Sequence, residues 1–185
     1  MKRVFLAVSF RGNPFISGYI EEIQSKLTAQ KIKWVEPENL HITLKFFGPS
    51  SAQQILTIKN TLDNCLKNEP KRLLRFNHLG VFGSRYQPRV LWMGLEDERP
   101  LKDLERQIRA SLIAAGFTYD RQNFVPHLTL ARIKHLDSKK YFQSVVDQYR
   151  AFDSGPVNVD TVYLYQSILQ KSGPVYKVLH SWKLK

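Results

Sequence analysis

The sequence predicts an α/β (α+β) fold of two similar lobes packed as one domain over residues 1–185, and three observations predict it. Segments with strand and helix patterning alternate along the whole chain, which favours sheets flanked by helices. A short motif occurs twice, as His41-Ile42-Thr43-Leu44 and His127-Leu128-Thr129-Leu130, and the copies lie 86 residues apart. Other landmarks repeat at that offset of 86: Arg3-Val4-Phe5-Leu6 falls on Arg89-Val90-Leu91-Trp92, and Pro88 on Pro174. Repetition at one offset is the mark of a duplicated unit.

In the first lobe, residues 3–10 are apolar and rich in strand formers, as in a buried strand. Asn13 can cap a helix with Pro14 at its first position, and Ile16, Ile20, Ile23 and Leu27 give that helix one apolar stripe. Residues 33–36 and 40–47 read as extended. Ser51 can start a second helix with its stripe at Ile55, Ile58, Leu62 and Leu66. A strand near 73–82 is expected to close the first lobe.

The second lobe repeats the order. A strand is expected over 89–95, then a helix from Pro100 carrying Leu101, Leu104, Ile108 and Leu112 and ended by Gly116. The second motif strand spans 126–133, and Ser138 opens a helix bearing Phe142, Val145 and Tyr149. Strands near 157–168 and 175–183 complete the chain. The absence of a Gly/Ser linker argues for lobes that pack together.

Composition narrows the function. With 28 Lys and Arg against 16 Asp and Glu, the formal charge is +12, which suits a polyanionic partner as well as a solvated surface. A single cysteine, Cys65, excludes a disulfide framework and any CxxC motif, and its place on a helical stripe makes it a core thiol. The apolar run at the N-terminus is too short for a signal peptide, and no stretch approaches the roughly 20 apolar residues of a membrane span. These features point to a cytoplasmic protein without a membrane partner.

The duplicated motif carries the chemistry. On a strand, residues two apart share a face, so His41 and Thr43 point one way, and Ile42 and Leu44 the other. The second copy does the same. Across a pseudo-twofold, two imidazoles and two hydroxyls would converge on one groove. Cleaving a phosphodiester takes a base to accept a proton from water and an acid to protonate the departing oxygen, and histidine serves as either near neutral pH. Threonine hydroxyls can hold the phosphate oxygens where charge accumulates. No acidic or cysteine ligand accompanies either motif, so no metal and no cofactor are expected.

These residues resemble the 2H phosphoesterase superfamily, and within it the RNA 2′,3′-cyclic phosphodiesterase family, also called 2′-5′ RNA ligase. The supporting stretches are Trp34-Val35, Glu38 through Gly48, Arg89-Val90-Leu91-Trp92, Pro126 through Arg132, Ser167-Ile168-Leu169 and Gly173-Pro174-Val175-Tyr176. The resemblance implies a bilobal fold with antiparallel sheets, an active site in the cleft, and RNA with a 2′,3′-cyclic phosphate end as the substrate. It implies hydrolysis to a 2′-phosphate, with His41 as proton donor and His127 as proton acceptor. Members of the family also join RNA ends through a 2′-5′ linkage. A cleft within one chain needs no second subunit, so a monomer is expected.

The resemblance further suggests that Phe46 and Arg132, each five residues after its histidine, contact the nucleotide. Strict alternation opposes this, because an odd offset puts them on the other face, and only a bulge or strand end would turn them back. On alternation alone Phe46 reads as core, and Trp34 and Trp92 read as core as well. His78, His135 and His180 lack a threonine two residues on and read as structural or surface histidines. Two further readings stay open: a related enzyme acting on a small cyclic nucleotide, and a nucleotide- or RNA-binding module without catalysis.

Overall fold

The computed structural model describes residues 1–84, 86–119, 123–171 and 173–185. The strands are β1 (Lys2–Ser9), β2 (Lys31–Trp34), β3 (His41–Ser50), β4 (Arg72–Leu74), β5 (Phe76–Ser84), β6 (Gln87–Leu95), β7 (Leu128–His135), β8 (Val157–Val159), β9 (Thr161–Leu169) and β10 (Pro174–Lys183). The helices are α1 (Pro14–Lys26), α2 (Ala52–Cys65), α3 (Arg99–Ala114) and α4 (Lys139–Gln148), with a 3-10 turn at Pro37–Asn39.

Local chemistry sets the helix ends. The Asn13 side chain accepts from the Ile16 N–H with Pro14 following, as its sequence context demands. Ser51 and Gln54 form a reciprocal capping box on α2. Ser138 caps α4 through the Tyr141 N–H. Gly116 follows α3 at φ 89°, the left-handed conformation that ends a helix without a Cβ penalty. The helical stripes are buried, with Ile16, Ile23, Ile58, Leu62, Leu104 and Ile108 all fully inside.

The sheets are antiparallel, in the orders β10-β9-β1-β3 and β2-β7-β6-β5, and β4 pairs with β8. Central β1 reads as a continuous buried run, Val4 to Val8, because neighbouring strands flank it and both its faces are covered. One cluster of buried apolar side chains draws on both halves of the chain.

The sequence expectation fails at the lobe boundary: the strand near 73–82 does not close the first lobe. It divides into β4 and β5, and β5 pairs with β6 of the other sheet. The strand near 157–168 divides likewise, and β9 pairs with β1. Each half therefore lends its last repeat strand to the other's sheet, and β4 and β8 meet antiparallel at the crossing. Local patterning specifies a strand but not its partner, which is why the exchange was not legible. The strand register also corrects the offset. Thr43 faces Ala7 and Thr129 faces Trp92, so β1 and β6 correspond one residue short of 86. The match of Pro88 with Pro174 has no structural counterpart, since Pro174 opens β10 and Pro88 lies in β6.

Candidate active site

His41 opens β3 directly after the 3-10 turn, and His127 immediately precedes β7. Both rings are held the same way. His41 Nδ1 lies 2.6 Å from the Asn39 carbonyl oxygen, and His127 Nδ1 lies 2.8 Å from that of Val125. A carbonyl only accepts, so each Nδ1 carries a proton and donates it. Each Nε2 is thereby left to take or give a proton. The motif strands β3 and β7 approach within 8 Å between Cα atoms, and charge on His127 bears on His41.

Their surroundings differ. The His41 ring sits 5.1 Å from the Phe5 ring and 5.2 Å from Tyr176, which meets it edge-on. His127 packs edge-on against Phe82 at 4.7 Å and lies 6.2 Å from Trp92. Burial pushes the His41 pKa below its ordinary value, the Asn39 carbonyl opposes this, and His127 adds to the lowering. Folded protein therefore resists a proton that the unfolded chain accepts. The sign follows: stability is full above about pH 6.5 and falls as pH drops toward the folded value. Melting temperatures between pH 7 and 5 should decline, and less steeply in His41→Gln. Equal slopes would refute this assignment.

Thr43 and Thr129 lie on the histidine faces of their strands, half-buried. Among the described residues neither hydroxyl makes a protein hydrogen bond, so both are open to a ligand. The partners Ile42, Leu44, Leu128 and Leu130 are buried on the opposite face, as alternation requires.

The bulge that Phe46 and Arg132 needed is present in both copies. Leu6 faces Lys45 but Ala7 faces Thr43, which makes Leu44 an extra residue in β3. Leu91 faces Ala131 but Trp92 faces Thr129, which makes Leu130 the extra residue in β7. Each bulge restores parity after its motif. Phe46 then pairs with Phe5 and Arg132 with Val90, on the same face as the threonines. The core reading of Phe46 is thus corrected: it is 49% exposed, beside Phe5 with ring centres 6.4 Å apart. Arg132 is exposed, and its charge bears on Tyr176 of the other sheet.

Four aromatic residues surround the histidines: Tyr176, Phe82 and Phe5 were not singled out as site residues in the sequence, and Trp92 read as core. Tyr176, Phe82 and Trp92 line the two imidazoles, and Phe5 lies under His41. Trp92 and Tyr176 fell in stretches that carried the resemblance, which was the available signal. Trp92 is half-buried beside His127 and not within the core, whereas Trp34 packs against the core. His78 is tied to Asn77 and packs edge-on against Trp92 at 5.6 Å, behind the ring that neighbours His127, while His135 is tied to Asp137 and His180 to Asp63. Cys65 is half-buried against the core, and burial pushes its thiol up. Among the described residues no three His, Cys, Asp or Glu side chains gather as a metal site, and no helix is long and apolar enough to cross a membrane.

Comparison with known proteins bears on this arrangement. Residues 14–169 match the 2′-5′ RNA ligase superfamily. The chain is 34% identical to the RNA 2′,3′-cyclic phosphodiesterase of Methanocaldococcus jannaschii, over 97% of this chain and 99% of that one. It is 35% identical to the protein of the same name from Aquifex aeolicus, over 100% and 99%. Its fold is similar to the crystal structure of E. coli LigT complexed with 3′-AMP, with a TM-score of 0.77, 23% identity, and coverage of 100% and 98%. With the match covering most of its length and the paired motifs at its centre, the chain belongs to the 2′-5′ RNA ligase superfamily.

Proposed function

We propose that the protein hydrolyses 2′,3′-cyclic phosphate ends of RNA to 2′-phosphate ends, with the whole chain acting as one catalytic unit. The observation that carries this reading is the pair of imidazoles, each with Nδ1 on a carbonyl two residues back and a threonine on its own face. The names of the similar proteins from Methanocaldococcus jannaschii and Aquifex aeolicus support the same substrate.

The step balances with these residues alone. His127 Nε2 accepts a proton from water as the water oxygen attacks phosphorus. The bond from phosphorus to the 3′ oxygen breaks, and His41 Nε2 gives its proton to that oxygen. The product carries a 2′-phosphate and a 3′ hydroxyl. The direction of the transfer, from His41 as donor to His127 as acceptor, comes from the family resemblance. Thr43 and Thr129 donate hydrogen bonds to the non-bridging oxygens, where charge grows. A bound phosphate anion favours the charged form of His41 and so offsets the effect of burial on it. Phe46 and Arg132 hold the terminal nucleotide, the first by its exposed ring and the second by stacking or charge. A 5′ hydroxyl replacing water at the same position would give a 2′-5′ linkage. No cofactor enters, and the cleft is complete in a monomer.

The test is an oligonucleotide ending in a 2′,3′-cyclic phosphate, incubated with the protein in EDTA. Conversion to a 2′-phosphate end is expected, and no product overturns the proposal. Binding should weaken steeply with salt, as a protein of charge +12 displaces counterions from several phosphates. A flat salt response would instead assign the site to a small cyclic nucleotide.

A further inference from the structure

The two copies of the motif are not equally supported. Asn39 gives its carbonyl to His41 Nδ1 at 2.6 Å, and its side-chain Nδ2 donates to the Pro174 carbonyl at 2.9 Å. Pro174 opens β10, and two residues later Tyr176 meets the His41 ring edge-on, with centres 5.2 Å apart and an interplanar angle of 88°. Tyr176 also packs on Phe5 at 4.9 Å, and Phe5 lies against the other side of the cluster, 5.1 Å from His41. The contacts close a ring: His41 to Asn39, Asn39 to Pro174, Pro174 along β10 to Tyr176, and Tyr176 back to His41.

Among the described residues His127 also meets a ring edge-on, Phe82 at 4.7 Å, but no side-chain hydrogen bond ties its carbonyl partner to another strand. That partner, Val125, has an exposed, apolar side chain that can donate no hydrogen bond. The sheet orders supply the reason. β10 lies beyond β9, whereas in the second sheet β5, the counterpart of β9, is itself the edge strand. The strand that clamps His41 therefore has no counterpart in the repeat.

We infer that Tyr176, anchored through Asn39, is a positioning residue for His41, and that β10 makes the two histidines inequivalent. This rests on the reading of His41 as a proton-transfer group. A T-shaped contact with an aromatic edge restricts rotation of the imidazole about its side-chain bonds, and the Asn39 carbonyl fixes which nitrogen faces the cleft. An aimed Nε2 needs no reorganisation when the phosphate arrives, and an error of about 1 Å in such an atom costs on the order of 10²-fold in rate. Among the described residues the charged or titratable groups facing this assembly are His127, Tyr165, which packs on Phe5 at 5.3 Å and on Tyr176 at 6.1 Å, and, beyond the Tyr176 ring, Arg132.

The experiment combines steady-state kinetics on a cyclic-phosphate oligonucleotide with NMR titration of the histidine ring protons. Tyr176→Phe keeps the ring and should retain kcat within about threefold. Tyr176→Ala should lower kcat by about 10²-fold with KM nearly unchanged, and should shift the His41 titration toward the ordinary histidine value. Asn39→Ala should lower kcat in the same way. Wild-type kcat together with an unshifted His41 titration in Tyr176→Ala would overturn the inference. A raised KM with unchanged kcat would also overturn it, by making Tyr176 a substrate contact. If Tyr176→Ala fails to fold, Tyr176→Leu, which keeps bulk without the aromatic edge, gives the same decision. His41→Ala runs beside them: activity surviving there would remove His41 from the chemistry, while the titration in the Tyr176 variants still reads the clamp.

Discussion

Alanine at His41 or at His127 is expected to lower kcat on a 2′,3′-cyclic phosphate end by about 10²–10⁴-fold, the usual worth of one positioned acid or base. The double variant should be scarcely worse than either single one, because the two act in one concerted transfer and a unit is lost with its first member. Folding should survive both changes, since each ring is only half-buried. The wild-type rate should follow a bell against pH, with apparent values that belong to the pair. The sign of one limb can be worked out. Burial holds His41 below the ordinary histidine value in the free protein, so fewer molecules carry its proton as pH rises. An anionic substrate beside the ring opposes that effect. The alkaline limb assigned to His41 should therefore lie at higher pH in kcat than in kcat/KM. Limbs that coincide would show that the phosphate does not sit against His41. Full activity in either alanine variant would remove that residue from the reaction.

Gly80→Ala is expected to damage both stability and turnover although it adds a single methyl group. Gly80 pairs with Trp92 across the β5–β6 ladder, and the indole occupies the space a side chain at residue 80 would need. A Cβ at residue 80 would fall 2.1 Å from Trp92 Cζ2. The same cradle continues at Gly94, where a Cβ would fall 2.1 Å from His78 Nε2 and 2.8 Å from the indole. The indole has to move, and it stacks on Phe82 at 5.0 Å, the ring that meets His127 edge-on. Overpacking of this kind costs about 1–3 kcal/mol, and displacing the rings beside His127 should lower kcat by roughly tenfold or more. Trp92→Phe in the Gly80→Ala background should recover much of both, since the smaller ring makes room and also removes a buried indole N–H that has no partner among the described residues. Gly18→Ala is the control. That helical glycine has nothing within 4 Å of a Cβ, so alanine there should raise stability by about 0.4–1 kcal/mol. Gly80→Ala with wild-type melting temperature and kcat would show that the indole has freedom to spare.

Both predictions turn on features of different legibility. The histidines were readable because a two-residue period places His and Thr on one face whatever the rest of the chain does. The helix caps were readable for a similar reason: Asn13, Ser51 and Ser138 act on backbone groups two or three residues away. The aromatic lining was not readable. Phe5 reaches His41 from β1, Tyr176 from β10 and Phe82 reaches His127 from β5, and each contact exists only through strand pairing across long stretches of sequence.

Phe46 and Arg132 show where local reasoning stops. Alternation put them on the wrong face, and the rule itself was sound. It was interrupted by bulges at Leu44 and Leu130, which depend on how β3 and β7 register against β1 and β6. The sequence by itself determined the two His-x-Thr pairs, their faces, the helix termini and the repeated motif, because each of these is settled within a few residues of chain. Tertiary structure alone decided which sheet receives β5 and β9, where the bulges turn Phe46 and Arg132, and which histidine is clamped by β10. Those choices depend on burial and on hydrogen bonding between distant segments, energies that no short stretch of sequence contains.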